Sequence, residues 1–146
     1  GGSVRLKYGC IITYEGVVKD DDGNVVEVHA TADLTTRRGQ PNSDQKVKGT
    51  IHWVSAVHAI PAEVRLYDRL FTVPEPAASD DFFACLNPDS LSVVQAQVEP
   101  ILQSAVPETC CQFERLGYFT PDVVDSKPDH LVFNRTITLR DTWAGK

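Results

Sequence analysis

The chain has 146 residues and a formal net charge of −6, which is enough length for one domain or two small ones with a buried core. This charge argues against indiscriminate binding to a polyanion, because such binding depends on Lys and Arg neutralising phosphates. No apolar run approaches the roughly 20 residues that cross a bilayer, and no signal peptide is recognisable, so we expect a cytoplasmic protein without a membrane partner. The chain contains no methionine, so we interpret it as a piece of a longer protein.

Charge is distributed unevenly along the chain. Residues 1–60 hold seven basic and seven acidic side chains, whereas residues 61–146 hold seven and thirteen. Three basic pairs lie in the first part: Arg5 and Lys7, Arg37 and Arg38, and Lys46 and Lys48. These pairs either form one basic patch on an otherwise acidic body or are ordinary solubilising charge, and composition leaves both open.

The cysteines do not predict a metal site. No C-x-x-C pair occurs among Cys10, Cys85, Cys110 and Cys111, and adjacent cysteines cannot easily chelate one zinc ion together. We expect reduced thiols that fill core space, and no bound metal.

The first third of the chain predicts a hairpin followed by a loop. Residues 4–18 are rich in Val, Ile, Tyr and Thr, residues 20–24 supply turn chemistry, and residues 25–33 resume an extended pattern. Residues 35–45 are polar, with one Gly and one Pro, and predict a loop that carries a basic pair toward solvent.

Two strands are predicted in the middle of the chain, at residues 46–55 and 63–71, with Pro61 interrupting the segment between them. In the second strand, alternate residues fall on opposite faces. One face carries Val64, Leu66, Asp68 and Leu70, and the other carries Arg65, Tyr67, Arg69 and Phe71.

The later part of the chain predicts three further strands, at residues 91–98, 109–119 and 131–139. Residues 73–90 contain three prolines and a candidate N-cap at Ser79, which predicts a short helix inside a long connection. Many short strands with little helical periodicity indicate an all-β barrel or sandwich with one or two short helices. The proline-containing run at 73–88 could divide two barrel-like halves.

Catalytic motifs are missing from the sequence. There is no G-x-S-x-G elbow, no G-x-x-x-x-G-K-[ST] loop and no G-x-G-x-x-G fingerprint, and the four histidines are scattered. We therefore expect no catalytic residues and no cofactor in this chain.

Arg, Gln and aromatic residues cluster in the later strands, as recognition of unpaired RNA bases requires. Residues 112–115 read QFER, and Arg135 begins a second cluster. Phe113 and Tyr118 could equally be core residues, because aromatic residues in strands usually pack inward. Arg115 is harder to place inside, since a guanidinium is rarely buried without a partner.

Several separated motifs occur in a recognisable order. They are VRL at 4–6, KVKGTIHWVSAVHAIPAEVRLYDRLF at 46–71, QFER at 112–115, GYF at 117–119, and FNRT to LRDTW at 133–143. Together they resemble the anticodon-binding β-barrel region of bacterial glutaminyl-tRNA synthetases, over nearly the whole chain.

The resemblance implies two interlocked antiparallel β-barrels of the ribosomal-protein-like anticodon-binding type, spanning residues 1–146. In that family the barrels open the anticodon loop of glutamine tRNA, while a separate Rossmann domain joins glutamine to the tRNA using ATP with magnesium. The signatures of that catalytic domain are absent from this sequence, and by the same resemblance we expect the first part of the barrel region to precede Gly1. The resemblance thus implies a monomeric tRNA-reading fragment without catalytic residues.

The resemblance also assigns candidate RNA-binding residues. Gln112 and Arg115 match positions near the central anticodon base, and Arg5 matches a basic position beside the first anticodon base. Lys7 stands where the family commonly has arginine, so a bidentate contact is replaced by a point charge. Possible phosphate contacts are Lys46 and Lys48.

Two alternatives stay open. Glutamyl-tRNA synthetases of eukaryotes and archaea share the barrel architecture and a similar KGTIHW-type motif. The second alternative is a non-catalytic protein-interaction β-barrel whose acidic face binds a basic partner. The RNA hypothesis requires Arg5, Gln112 and Arg115 to converge on one concave surface.

Overall fold

The all-β class is confirmed by a computed structural model of the chain, which describes residues 2–139. These residues form nine strands in two sheets, and they divide into two compact units between Trp53 and Val54. The division suggested for the proline-containing run at 73–88 is not seen, because that run lies inside the second unit. None of the described helices is long and apolar enough to cross a membrane.

The first unit contains a four-stranded sheet with the strand order β3-β2-β1-β4. Its strands are β1 (Ser3–Leu6), β2 (Ile11–Lys19), β3 (Val25–Asp33) and β4 (Thr50–Ile51). The predicted acidic turn between β2 and β3 is confirmed. Asp20 Oδ1 accepts the backbone N–H of Asn24 at 2.8 Å, and Gly23 has a φ of 83°, which a residue without a side chain adopts without strain.

Two predicted strands of the first unit are wrong in extent. The segment 4–18 contains two strands, because a tight turn separates β1 from β2, and Leu6 N–H donates to Cys10 O across it at 2.9 Å. The segment 46–55 contains only β4, which pairs in parallel with β1 through Arg5 and Thr50. A run of β-favouring residues therefore overstated strand length at both places.

The predicted loop after β3 begins with a 3-10 helix at Leu34–Thr36 and continues through turns. Thr36 is completely buried, and its hydroxyl accepts the N–H of Ile11 at 2.8 Å while donating to Asp33 O at 2.6 Å. A buried polar group is stable only when its hydrogen bonds are satisfied, so Thr36 fixes the start of the loop against β2.

The second unit contains a five-stranded sheet with the order β6-β5-β9-β8-β7. Its strands are β5 (Ile60–Tyr67), β6 (Leu91–Val98), β7 (Cys111–Phe113), β8 (Gly117–Pro121) and β9 (Leu131–Ile137). Pairing is antiparallel except between β5 and β9. Neither sheet closes on itself among the described residues. The core of this unit consists of Ala62, Val64, Val98, Phe119, Leu131 and Phe133.

Strand β5 shows the predicted alternation but differs at both ends, because it begins at Ile60 and ends at Tyr67, before the predicted end at Phe71. Val64 is buried and Leu66 packs against the core, while Arg65 lies on the opposite, polar face. Pro61 lies inside the strand and does not interrupt it. The parallel pairing with β9 starts only at Ala62, so at Pro61 the strand has one neighbour, and a proline is tolerated there as at a sheet edge.

The long connection after β5 contains the predicted short helix, but its cap is different. Two 3-10 helices occur, at Pro76–Ala78 and Phe83–Cys85, and Ser79 ends the first of them. Phe82 is the N-cap of the second, and Oδ1 of the preceding Asp81 accepts the N–H of Ala84 at 3.0 Å. A further 3-10 helix follows β6 at Pro100–Ser104.

The four cysteines are free, and their roles differ. Cys10 and Cys85 are buried, as predicted for thiols that fill core space. The prediction is wrong for Cys110, which is exposed, whereas Cys111 is half-buried and burial raises the pKa of its thiol. Cys110 directly precedes β7 and Cys111 begins it, and this short edge strand has too little covering structure to bury either thiol fully.

The predicted strand 109–119 is a hairpin of β7 and β8, and Gly117 makes its geometry possible. Gly117 has a φ of 151°, and a Cβ atom built there would lie 2.5 Å from the carbonyl oxygen of Ile137. No side chain tolerates both the backbone angle and that contact. The glycine therefore allows β8 to approach β9 closely.

We predict that Gly117→Ala lowers the free energy of unfolding by at least about 2 kcal/mol, because the new Cβ must displace backbone atoms of β9. Urea denaturation followed by circular dichroism measures this. The matched control is Gly16→Ala in β2, where a Cβ meets nothing within 4 Å and φ is not positive. Equal stability of the two variants would refute the steric account.

Candidate functional site

Arg5 holds a loop of its own unit. Its guanidinium donates to the carbonyl oxygens of Thr36 at 2.7 Å, Gln45 at 2.9 Å, Ser43 at 3.2 Å and, more weakly, Gly9 at 3.4 Å. The planar fork of an arginine suits several carbonyls at fixed angles, whereas the single ammonium of lysine does not. Arg5 thus connects both ends of the loop that follows β3 to strand β1.

The loop that Arg5 holds displays basic side chains. Arg37 follows directly after the carbonyl of Thr36, and Lys46 follows directly after that of Gln45. Arg37, Arg38, Lys46 and Lys48 are exposed, and none of their side chains makes a hydrogen bond or ion pair with another described residue. Unpaired, exposed cations on an anchored loop are suited to phosphate contact. Their arrangement supports the basic-patch interpretation over randomly placed charge.

The turn between β1 and β2 carries Lys7 and is fixed from two sides. Lys7 N–H donates to Ile51 O at 2.8 Å, and the indole Nε1 of Trp53 donates to Lys7 O at 3.1 Å. The Trp of the KGTIHW motif therefore anchors the backbone of Lys7. The Lys7 ammonium lies 5.1 Å from the ring centroid of Tyr8.

Gln112 and Arg115 lie on one hairpin of the second unit. Gln112 is exposed on β7, opposite Tyr118 of β8, and Arg115 is exposed in the turn that joins the strands. Neither side chain makes a hydrogen bond or ion pair with another described residue. An amide that both donates and accepts, close along the chain to a guanidinium that only donates, can bind the edge of an unpaired base.

The backbone of Arg115 is strained. Leu116 N–H donates to Phe113 O at 2.9 Å, and Arg115 has a φ of 67° at the third position of this turn. Positive φ at that position, after a residue with negative φ, is typical of a type II turn, which favours Gly or Asn. A long charged side chain there is unfavourable for the turn itself, and such strain occurs preferentially at functional positions.

The two aromatic residues of this region have different roles. Phe113 stacks on Phe119 with ring centroids 4.3 Å apart and contacts Phe133 at 5.4 Å, so it belongs to the core. Tyr118 is 37% exposed on the face that carries Gln112. The core interpretation is therefore correct for Phe113, and the surface interpretation fits Tyr118.

The predicted site residues fall into two groups. Arg5, Lys7, Lys46 and Lys48 belong to the first unit, and Gln112 and Arg115 belong to the second. The convergence of the two groups on one surface stays a prediction. Residues 140–146, which include all of the LRDTW motif except Leu139, lie outside the described residues.

Three residues of the long signature at 46–71 belong to a polar network on the second sheet: Glu63, Arg65 and Tyr67. Arg65 pairs with Asp125 at 2.7 Å and with Glu63 at 2.8 Å, and both carboxylates raise its pKa. Arg65 also lies 3.5 Å from Asp122. These arginine contacts are within the protein, so Arg65 is a structural residue of the motif.

Asp122 connects that network to the FNRT motif. Its Oδ2 accepts the side-chain amide of Asn134 at 2.7 Å, and Asn134 in turn accepts the hydroxyl of Tyr67 at 2.9 Å. The hydrogen bond from Asn134, followed by the backbone N–H groups of Asp125 and Val124, lowers the pKa of Asp122 from 3.8 to about 2. The sequence analysis missed these residues because their partners are distant along the chain.

Comparison with known proteins gives a consistent result. A family model described as "tRNA synthetases class I (E and Q), anti-codon binding domain" matches residues 50–122. A glutamine–tRNA ligase of Yersinia enterocolitica is 54% identical over 146 residues, and one of Vibrio parahaemolyticus is 55% identical over 144 residues. These alignments cover 100% and 99% of this chain but only 26% of each relative, so the chain spans about a quarter of their length.

We predict that the Asp122 network makes stability depend on acidity below about pH 4. Because the folded pKa of Asp122 is about 2 and its ordinary value is 3.8, its contribution is complete above the ordinary value and is lost as pH falls toward 2. The free energy of unfolding should fall by about 1–2 kcal/mol from this group over that range.

Denaturant unfolding at a series of pH values measures this dependence. Asp122→Asn should flatten it, and the matched control is Asp129→Asn, an exposed residue of the same connection without hydrogen bonds to described residues. Identical pH profiles for Asp122→Asn and the unmodified chain would show that the network does not stabilise the fold through this carboxylate.

Proposed function

Because the chain belongs to the anticodon-binding domain family of the class I tRNA synthetases for glutamate and glutamine, we propose that it reads the anticodon loop of glutamine tRNA. The single observation that carries this proposal is the exposed pair Gln112 and Arg115 on the β7–β8 hairpin, with Arg115 held at a left-handed backbone angle. Both side chains have polar groups that no described residue satisfies.

The hairpin can discriminate between bases in a simple way. An unpaired base presents its Watson–Crick edge to the protein, and a uracil edge offers two carbonyl acceptors and one N–H donor. The Arg115 guanidinium can donate to a carbonyl, while the Gln112 amide can accept from the N–H and donate to the second carbonyl. A cytosine reverses part of this pattern, so one of the polar groups would be left without a partner.

The first unit contributes phosphate contacts in this proposal. Lys46 and Lys48, together with Arg37 and Arg38, form the anchored basic loop, and its charges attract the RNA backbone without reading sequence. Arg5 takes part by holding this loop in place through the carbonyls of Thr36 and Gln45. The acidic side chains in the rest of the chain repel RNA and disfavour nonspecific binding.

In the full-length protein this chain would serve a ligase that joins glutamine to its tRNA using ATP. The names of the similar proteins favour glutamine over glutamate. That reaction, with its ATP and magnesium, would take place in a part of the protein outside these residues. We propose that the protein acts in the cytoplasm, and a monomer stays the expected state.

The proposal predicts opposite effects of Arg115→Gly on stability and on binding. Glycine adopts positive φ without strain, so the free energy of unfolding should stay the same or rise by up to about 1 kcal/mol. Affinity for a glutamine tRNA anticodon stem-loop should fall about 5- to 150-fold, the value of one bidentate base contact. Fluorescence anisotropy and urea denaturation measure the two effects.

The matched control is Lys127→Gln in the connection between β8 and β9, which removes one exposed positive charge outside the hairpin. It should lower affinity far less than Arg115→Gly does. Unchanged affinity and unchanged base preference in Arg115→Gly would remove Arg115 from the site.

A further inference from the structure

Tyr8 occupies an unusual position at the tip of the β1–β2 hairpin. Only Tyr8 and Arg115 have positive φ among the non-glycine residues described, and the φ of Tyr8 is 60°. Gly9 N–H donates to Leu6 O at 2.8 Å, which makes Tyr8 the third residue of a turn of the same kind as that of Arg115. A tyrosine here is disfavoured by the backbone, since glycine or asparagine fits the angle better.

Burial does not explain the tyrosine, because Tyr8 is 87% exposed. A large aromatic side chain that is both exposed and strained weakens the fold relative to a small polar residue. Burial therefore gives no reason for a tyrosine at this position of the turn.

The turn below Tyr8 is rigidly held. Strand β4 accepts the N–H of Lys7, Trp53 donates to the carbonyl of Lys7, and Arg5 donates weakly to the carbonyl of Gly9. A Cβ on Gly9 would lie 3.1 Å from Leu6 Cβ and 3.6 Å from the Trp53 ring, so the turn is also tightly packed. A side chain presented by a fixed backbone loses little entropy when a ligand binds to it.

The positive charge of Lys7 lies beside the Tyr8 ring. The ammonium of Lys7 lies over the Tyr8 ring at 5.1 Å from its centroid, so a cation and an aromatic surface are presented together. Unpaired nucleotides need this combination, because the base stacks on an aromatic face while a cation pairs with the adjoining phosphate.

We propose that Tyr8 is a stacking platform for one unpaired nucleobase of a single-stranded RNA loop, with Lys7 pairing with the phosphate of that nucleotide. This inference rests on the proposed function and adds a contact that does not read base edges. Stacking tolerates any base, so Tyr8 contributes affinity and holds one nucleotide out of the loop, while specificity comes from the other hairpin.

The experiment uses a glutamine tRNA anticodon stem-loop and a set of versions with one abasic nucleotide at each loop position. Each is titrated against the unmodified chain, Tyr8→Phe and Tyr8→Asn. Phe keeps the ring, whereas Asn removes it and is tolerated at positive φ, so the fold should be kept. Urea denaturation of each variant checks that expectation.

The expected result is that Tyr8→Asn weakens binding of the intact stem-loop about 5- to 150-fold, as loss of one base stack does, while Tyr8→Phe binds within about threefold. At one loop position the abasic change should weaken binding to the unmodified chain but not to Tyr8→Asn. This loss of additivity identifies the stacked nucleotide.

Two other results would overturn the inference. If Tyr8→Asn binds the intact stem-loop as well as the unmodified chain does, stacking on Tyr8 is refuted while the proposed function stands. If both Tyr8→Asn and Tyr8→Phe lose affinity equally, the ring is not the binding group. Failure of the unmodified chain to bind any stem-loop would refute the proposed function itself, and the stacking role with it.

Discussion

A left-handed backbone angle in a tight turn normally excludes long side chains, yet two turns of this chain have a long side chain at such an angle. Tyr8 and Arg115 each occupy the third position of a hairpin turn, one in each unit. The strain costs on the order of 1 kcal/mol at each site, and neither exposed side chain recovers it by burial. The proposed RNA contacts depend on this geometry, because it projects a side chain away from the sheet on a short, fixed turn.

The surrounding structure makes these turns rigid. Trp53 and Arg5 hold the first turn and its neighbouring loop through backbone carbonyls, and Gly117 lets β8 pack closely on β9 beside the second turn. The residues of the sequence motifs thus have two kinds of role. Some motif residues, such as Arg65 and Asn134, satisfy one another inside the protein, and others, such as Gln112, are left for a ligand.

Arg5 is a basic residue of the expected RNA site, but its contacts in the structure are with the protein's own backbone. The resemblance places it beside the first anticodon base, and in the structure its guanidinium donates to backbone carbonyls on both sides of the basic loop. A guanidinium has further donors, but those used here fix its orientation. Its contribution to recognition is therefore best explained through the loop that it holds.

Features that depend on residues close together in the chain could be predicted from the sequence. The β2–β3 turn follows from its Asp and Gly residues, and β6 was predicted with its observed bounds, 91–98, because its β-forming residues end at a proline-containing turn. The breaks at residues 7–10 and 114–116 could not be predicted, because Tyr and Arg stand where turn signals normally have Gly or Asn. Arg65 and Arg115 also look alike in sequence, because each follows a glutamate by one or two positions. Only their tertiary contacts show that Arg65 is structural and that Arg115 is exposed.

Base preference tests the central claim most directly. The unmodified chain would be titrated with the glutamine tRNA anticodon stem-loop and with three versions that each change one anticodon base, at two salt concentrations. The account predicts that at least one change weakens binding about tenfold or more at both salt concentrations, since base contacts are lost whatever the screening. Equal affinities for all four RNAs, falling together with salt, would contradict it and leave only phosphate attraction.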